Sequence, residues 1–169
     1  MAKPTTNAIP ICIALTVFFL LGTFVSLITR DALWLLLTLL PTVGYEVYRT
    51  EAGASTKYSS IFLFAVITLE IIFLVFNVNF DLAKFLETEE TYIAGYTLPL
   101  GDIKVFGPIL SAILAILLFF RTYGPYTKYL SVVIAVGSFI AVYIINPLFF
   151  TELIRLVASA LFDRLPYML

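Results

Sequence analysis

The segment from Tyr58 to Phe80, YSSIFLFAVITLEIIFLVFNVNF, is nearly continuous hydrocarbon and is long enough to cross a bilayer. Such a stretch leaves its backbone little choice. Without water, every N–H and C=O must find a partner within the chain, which restricts spanning segments to helices or closed barrels. Unbroken apolar runs, as opposed to alternating ones, select helices. The same segment carries one ionisable residue, Glu70, near its middle. A carboxyl at that depth is costly, so the rest of the protein must shelter it or use it.

Similar runs recur at about 8–28, 32–48, 105–120 and 126–145. The chain is 62% hydrophobic and only 12% charged, against about a quarter charged in soluble domains. It reads as a single all-α domain over residues 1–169, a multi-pass transmembrane helical bundle with five spans. The first run is too long for a signal peptide and its pattern repeats downstream, so it reads as an uncleaved span. Thr29-Arg30-Asp31 is a tight connection that makes the second span antiparallel to the first. Trp34 at one end of that second span, and Tyr45 and Tyr48 at the other, mark its two interfaces. Pro41 and Gly44 are expected to bend it.

Residues 148–165 read either as a sixth span or as an amphipathic surface helix. Glu152, Arg155, Ser159 and Asp163 fall on one narrow stripe of an otherwise apolar helix. Leu82, Phe85 and Leu86 share a face, so 81–90 is expected to lie along the membrane surface. With the N-terminus in the cytoplasm, Lys3, Arg49, Lys57, Arg121 and Lys128 lie inside, and Arg30, Lys84 and Lys104 lie outside. The positive-inside bias supports that orientation, which puts the acidic 81–102 loop outside. Residues 53–86 resemble 124–157, with Gly53-x-x-Thr56-Lys57-Tyr58-x-Ser60 matched by Gly124-x-x-Thr127-Lys128-Tyr129-x-Ser131. A parallel repeat would leave the last helix outside, while a chance match in so apolar a chain leaves it unconstrained. Depth favours a crossing. At about 1.5 Å per residue, Glu70 and Arg155 reach the same level of a core about 30 Å thick. The expectation is therefore six spans with Glu70 opposite Arg155.

Several chemistries are excluded. There is no histidine and the only cysteine is Cys12. That removes disulfides within the chain, cysteine zinc sites, iron–sulfur clusters and His-ligated haem. No metal and no cofactor is expected. A net charge of −1 without a basic patch argues against nucleic acid as a partner. No Gly-x-Ser-x-Gly elbow, His-Glu-x-x-His or Walker loop is present. Glu87, Glu89 and Glu90 lack calcium-loop spacing and read as a solvated acidic face.

Four residues form the expected intramembrane polar set: Glu70, Asn77, Ser59 and Arg155. The first three share a face of the third span and could carry a proton or cation, or Glu70 could serve only as the partner of Arg155. Gly107, Ser111 and Ala115 recur every four residues, the small-residue pattern of close helix packing. Arg49, Lys57, Arg121 and Lys128, with neighbouring tyrosines, could hold anionic lipid headgroups or form only the ordinary interfacial belt. The expected function is an accessory or assembly subunit of a larger membrane complex. The rival is a small homo-oligomeric transporter or channel using Glu70, and third comes a membrane-embedded lipid-processing enzyme. The expected partners are the lipid bilayer and either another protein or further copies of the chain. A water-accessible polar cavity at Glu70 would favour transport, and a dry interior with an exposed small-residue seam would favour a subunit.

Overall fold

The computed structural model describes residues 7–50, 54–78, 92–93, 96–97 and 103–148, together with 150, 151, 154, 155 and 158. Among these, five long helices form the body: α1 (Ala8–Thr29), α2 (Ala32–Arg49), α3 (Ala54–Val75), α4 (Ile103–Arg121) and α5 (Pro125–Ile145). Two short strands, β1 (Tyr92–Ile93) and β2 (Tyr96–Thr97), pair antiparallel with Tyr92 opposite Thr97. The chain is a membrane-embedded helical bundle, because α1, α3, α4 and α5 are each long and apolar enough to cross a bilayer.

The helix α2 does not meet that measure, so among the described residues four such helices stand where five spans and a sixth at 148–165 were expected. The reason lies in its second half, where Pro41, Thr42, Gly44, Glu46 and Arg49 dilute the leucine run. Its position makes this tolerable. It packs against α1, α3 and α5 at once, and its Leu35, Leu36, Leu39 and Val43 are buried. These residues form one apolar cluster with Phe19, Leu63, Ile67, Ala115, Leu118, Ile134 and Ala141. The outward faces of the other helices expose residues such as Phe24, Ile28, Phe62 and Leu117, which suits a surface solvated by lipid tails.

The connections follow from local chemistry. Arg30 ends α1 in the left-handed region, with φ 54°. The Asp31 N–H then donates to the Ser26 carbonyl at 3.3 Å. The Asp31 side chain caps α2 by accepting from the Leu33 N–H at 3.0 Å. The reversal expected at 29–31 is therefore made by an αL residue followed by an acidic N-cap. At the other side of the chain, α3 stops at Val75, well short of the expected end at Phe80. Asn77 takes φ 48°. Its N–H donates to the Leu74 carbonyl, and the Val78 N–H donates to the Phe73 carbonyl. This is a Schellman closure with asparagine in the αL position.

The register places Arg49, Ala54, Arg121 and Pro125 at one end of the bundle, and Ala32, Val75, Ile103 and Ile145 at the other. These are called below the Arg49 end and the Asn77 end. At the Asn77 end, Phe150 turns back onto the bundle, packing with Val105 and Val142 and meeting the Tyr143 ring edge-on at 5.6 Å. The surface helix expected at 81–90 lies outside the described residues, as does most of 148–165. The 79–86 part of the internal similarity is also outside them.

Candidate functional site

Glu70 sits on α3 five residues before the helix ends, about 7.5 Å from that terminus. It lies nearer the Asn77 end than the middle, because the helix stops early. Its side chain is 3% exposed, and neither carboxyl oxygen has a hydrogen-bond partner. The expected pair with Arg155 is not formed, and Arg155 is exposed. Equal depth specifies only a level in the bundle and says nothing about the direction in which each side chain points.

What faces Glu70 is Gly107 on α4. A Cβ at that glycine would come within 3.2 Å of the Glu70 Cγ, Cδ and Oε2 atoms. The small-residue row therefore has an identifiable use. Gly107 makes room for the carboxyl, while Ser111 and Ala115, one and two turns along, are buried inside the bundle. The row is not an exposed seam.

The other expected members of the polar seam are placed elsewhere. Asn77 is exposed beyond the end of α3, where its Oδ1 accepts from the Lys104 Nζ at 2.8 Å. Ser59 donates to the Ser55 carbonyl at 2.9 Å within its own helix. Ser59, Asn77 and Glu70 are not brought together.

A second buried carboxyl, missed in the sequence, lies at the Arg49 end. Glu46 on α2 is fully buried. The Thr50 hydroxyl is shared between the Glu46 backbone carbonyl at 2.8 Å and Glu46 Oε1 at 3.1 Å, while Oε2 has no partner. The available signal was Thr42, Glu46 and Thr50 at four-residue intervals, a polar stripe on one face of a leucine-rich helix.

Hydroxyls of the bundle differ in how they are satisfied. In transmembrane helices Ser and Thr commonly donate to the carbonyl four residues back. Thr16, Thr23, Thr68, Thr122 and Ser131 do so here. Thr42, Ser60, Ser111 and Ser138 are buried, and none of their hydroxyl oxygens has a partner. An unmet buried polar group costs about 1–3 kcal/mol.

Arg49, Lys57, Arg121 and Lys128 all lie at the Arg49 end, each held by the chain itself. The Arg49 guanidinium lies 5.9 Å from the Tyr45 ring and 5.1 Å from that of Tyr126. Lys57 Nζ donates to the Val47 carbonyl at 2.5 Å. Arg121 donates to the Ser55 hydroxyl at 2.7 Å, and Lys128 Nζ lies 5.7 Å from the Phe119 ring. Among the described residues no cluster of three or more acidic or cysteine side chains is arranged to hold a metal ion.

On the outer face of α4 and α5 is a shallow pocket of about 280 Å³ lined by Ile116, Phe119, Phe120, Val132, Val136 and Phe139, among others. Compared with family models, with curated proteins and with solved structures, the chain matches none.

Proposed function

We propose that this bundle handles protons within the membrane, with Glu70 as the group that takes up and releases them. The observation that carries the reading is the bare Glu70 carboxyl. It is 3% exposed, has no hydrogen-bond partner and is accommodated by a glycine on the facing helix. A structural role would give the carboxyl a cation or donors, since a buried charge without them is strongly unfavourable. Intramembrane ionisable groups commonly lie on ion pathways or in proton relays. The test is proton flux into liposomes that contain the purified chain, driven by an imposed potential and read with an internal pH dye. Flux should be present in wild type and lost in Glu70→Gln. Equal flux in both, or none in wild type, refutes the reading.

A second reading, an accessory subunit of a larger membrane complex, is favoured by the α4–α5 pocket, whose lining side chains are almost all apolar. A bulky side chain from a partner helix would fill it. Purification in mild detergent should then retain a second polypeptide that Val136→Trp releases. A chain that purifies alone, at the mass of one copy, refutes this alternative.

A further inference from the structure

Among the described residues, six buried polar groups have a carboxyl or hydroxyl oxygen without a partner: Glu46, Thr42, Ser60, Ser111, Ser138 and Glu70. They come from four helices, and none is more than 3% exposed. Their levels can be read from the register. Counting about 1.5 Å per residue from the Arg49 end puts Glu46 at about 5 Å. Ser60 and Thr42 follow at about 9 and 11 Å, Ser111 at about 15 Å, Ser138 at about 20 Å and Glu70 at about 24 Å. No axial step exceeds about 5 Å, and all six side chains are buried within the ring in which α2 packs on α3, α3 on α4, α4 on α5 and α5 on α2.

Resting on the proton-handling reading, we infer that Glu46 is the second terminus of a proton path whose other terminus is Glu70, with Thr42, Ser60, Ser111 and Ser138 as its rungs. A hydroxyl donates one hydrogen bond and accepts two. It can therefore pass a proton to a neighbour directly or through a bridging water, and such waters typically make about three bonds to groups left unmet by the protein. Hydroxyls already bonded to a carbonyl of their own helix are less available for this, which sets these four apart from Thr23, Thr122 and Ser131.

The path suits protons better than metal cations. A desolvated cation needs about six oxygen ligands at one level, and each level here offers one or two. Buried Leu39, Leu63, Ile67 and Ile134 occupy the same core and exclude continuous bulk water. At the Arg49 end, one oxygen of the Glu46 carboxyl shares the Thr50 hydroxyl with the Glu46 backbone carbonyl, and the other oxygen is unbonded.

The test compares the full-length chain and its variants in the same liposome assay. Glu46→Gln should lower flux at least tenfold, and Ser111→Ala should lower it severalfold. Ser59→Ala, whose hydroxyl is committed to Ser55, should match wild type. If Glu70→Gln abolishes flux while Glu46→Gln conducts like wild type, the path is overturned and the role of Glu70 stands. If wild type shows no flux, both fall.

Labelling of wild type with dicyclohexylcarbodiimide gives a readout that does not depend on a folded variant. The acid O–H adds across one C=N bond: oxygen joins the central carbon and the proton goes to nitrogen. The acyl group then shifts to nitrogen, and no leaving group departs. Mass gain on the peptides containing Glu46 and Glu70 supports the path. Labelling of Glu70 without Glu46 overturns it.

Discussion

Replacing Glu70 with methionine separates a working carboxyl from a structural one. The two side chains have similar length and volume, and volume-conserving exchanges in a packed core usually cost less than about 1.5 kcal/mol. Against that stands the removal of two carboxyl oxygens that have no partner. Each unmet buried polar group costs about 1–3 kcal/mol. Net of the exchange cost, Glu70→Met should therefore leave the fold as stable or stabilise it by up to about 3 kcal/mol while abolishing flux. Glu70→Gln, which leaves an amide equally unmet, should change stability little. Reversible unfolding in mixed dodecyl sulfate and maltoside micelles, followed by the fluorescence of the single tryptophan, Trp34, would measure both. Destabilisation by Glu70→Met of about 3 kcal/mol or more would match the loss of one partner from a buried pair. It would refute the view that this carboxyl contributes nothing to folding.

Gly22 on α1 lies directly against Thr38 on α2, and a Cβ added there would fall 2.6 Å from the Thr38 Cβ. Rotation of Thr38 cannot relieve that overlap, so Gly22→Ala should destabilise by about 1–3 kcal/mol, and a double-mutant cycle with Thr38→Ala should show coupling. Asn77→Val places a β-branched residue at φ 48° and removes the acceptor of Lys104. A loss of about 1–3 kcal/mol is expected, read as a lower unfolding midpoint in the same micelles.

The class of fold and the rough positions of the helices were legible because both depend on local hydrophobicity. The reversal at Thr29–Asp31 was legible too, since short polar breaks between apolar runs leave only a tight turn. The end of α3 was not. Apolar residues continue to Phe80, and the stop is made by backbone closure at Asn77, which hydropathy does not register. Pairing across helices was equally hidden. Gly107 and Glu70 were each singled out, yet nothing in the spacing of a chain states which helix meets which. The Arg155 pairing failed for the same reason. Glu46 was not legible because the aromatic Tyr45 and Tyr48 beside it mark an interface, where a carboxyl is ordinary, and only the packing of α2 against its neighbours buries it.

The central place of α2 bears on how the protein is made. A segment interrupted by Pro41, Glu46 and Arg49 has little tendency to leave the insertion machinery by itself, since each charged residue opposes partition into lipid. The short turn at Arg30 ties it to the strongly apolar α1, so the two are expected to enter as one hairpin. That hairpin meets lipid on faces later covered by α3 and α5. A nascent chain stalled after Arg49 would then hold this hairpin with the core face of α2, Leu35, Leu36, Leu39 and Val43, uncovered. It would become a substrate for quality control unless synthesis soon supplied the later helices.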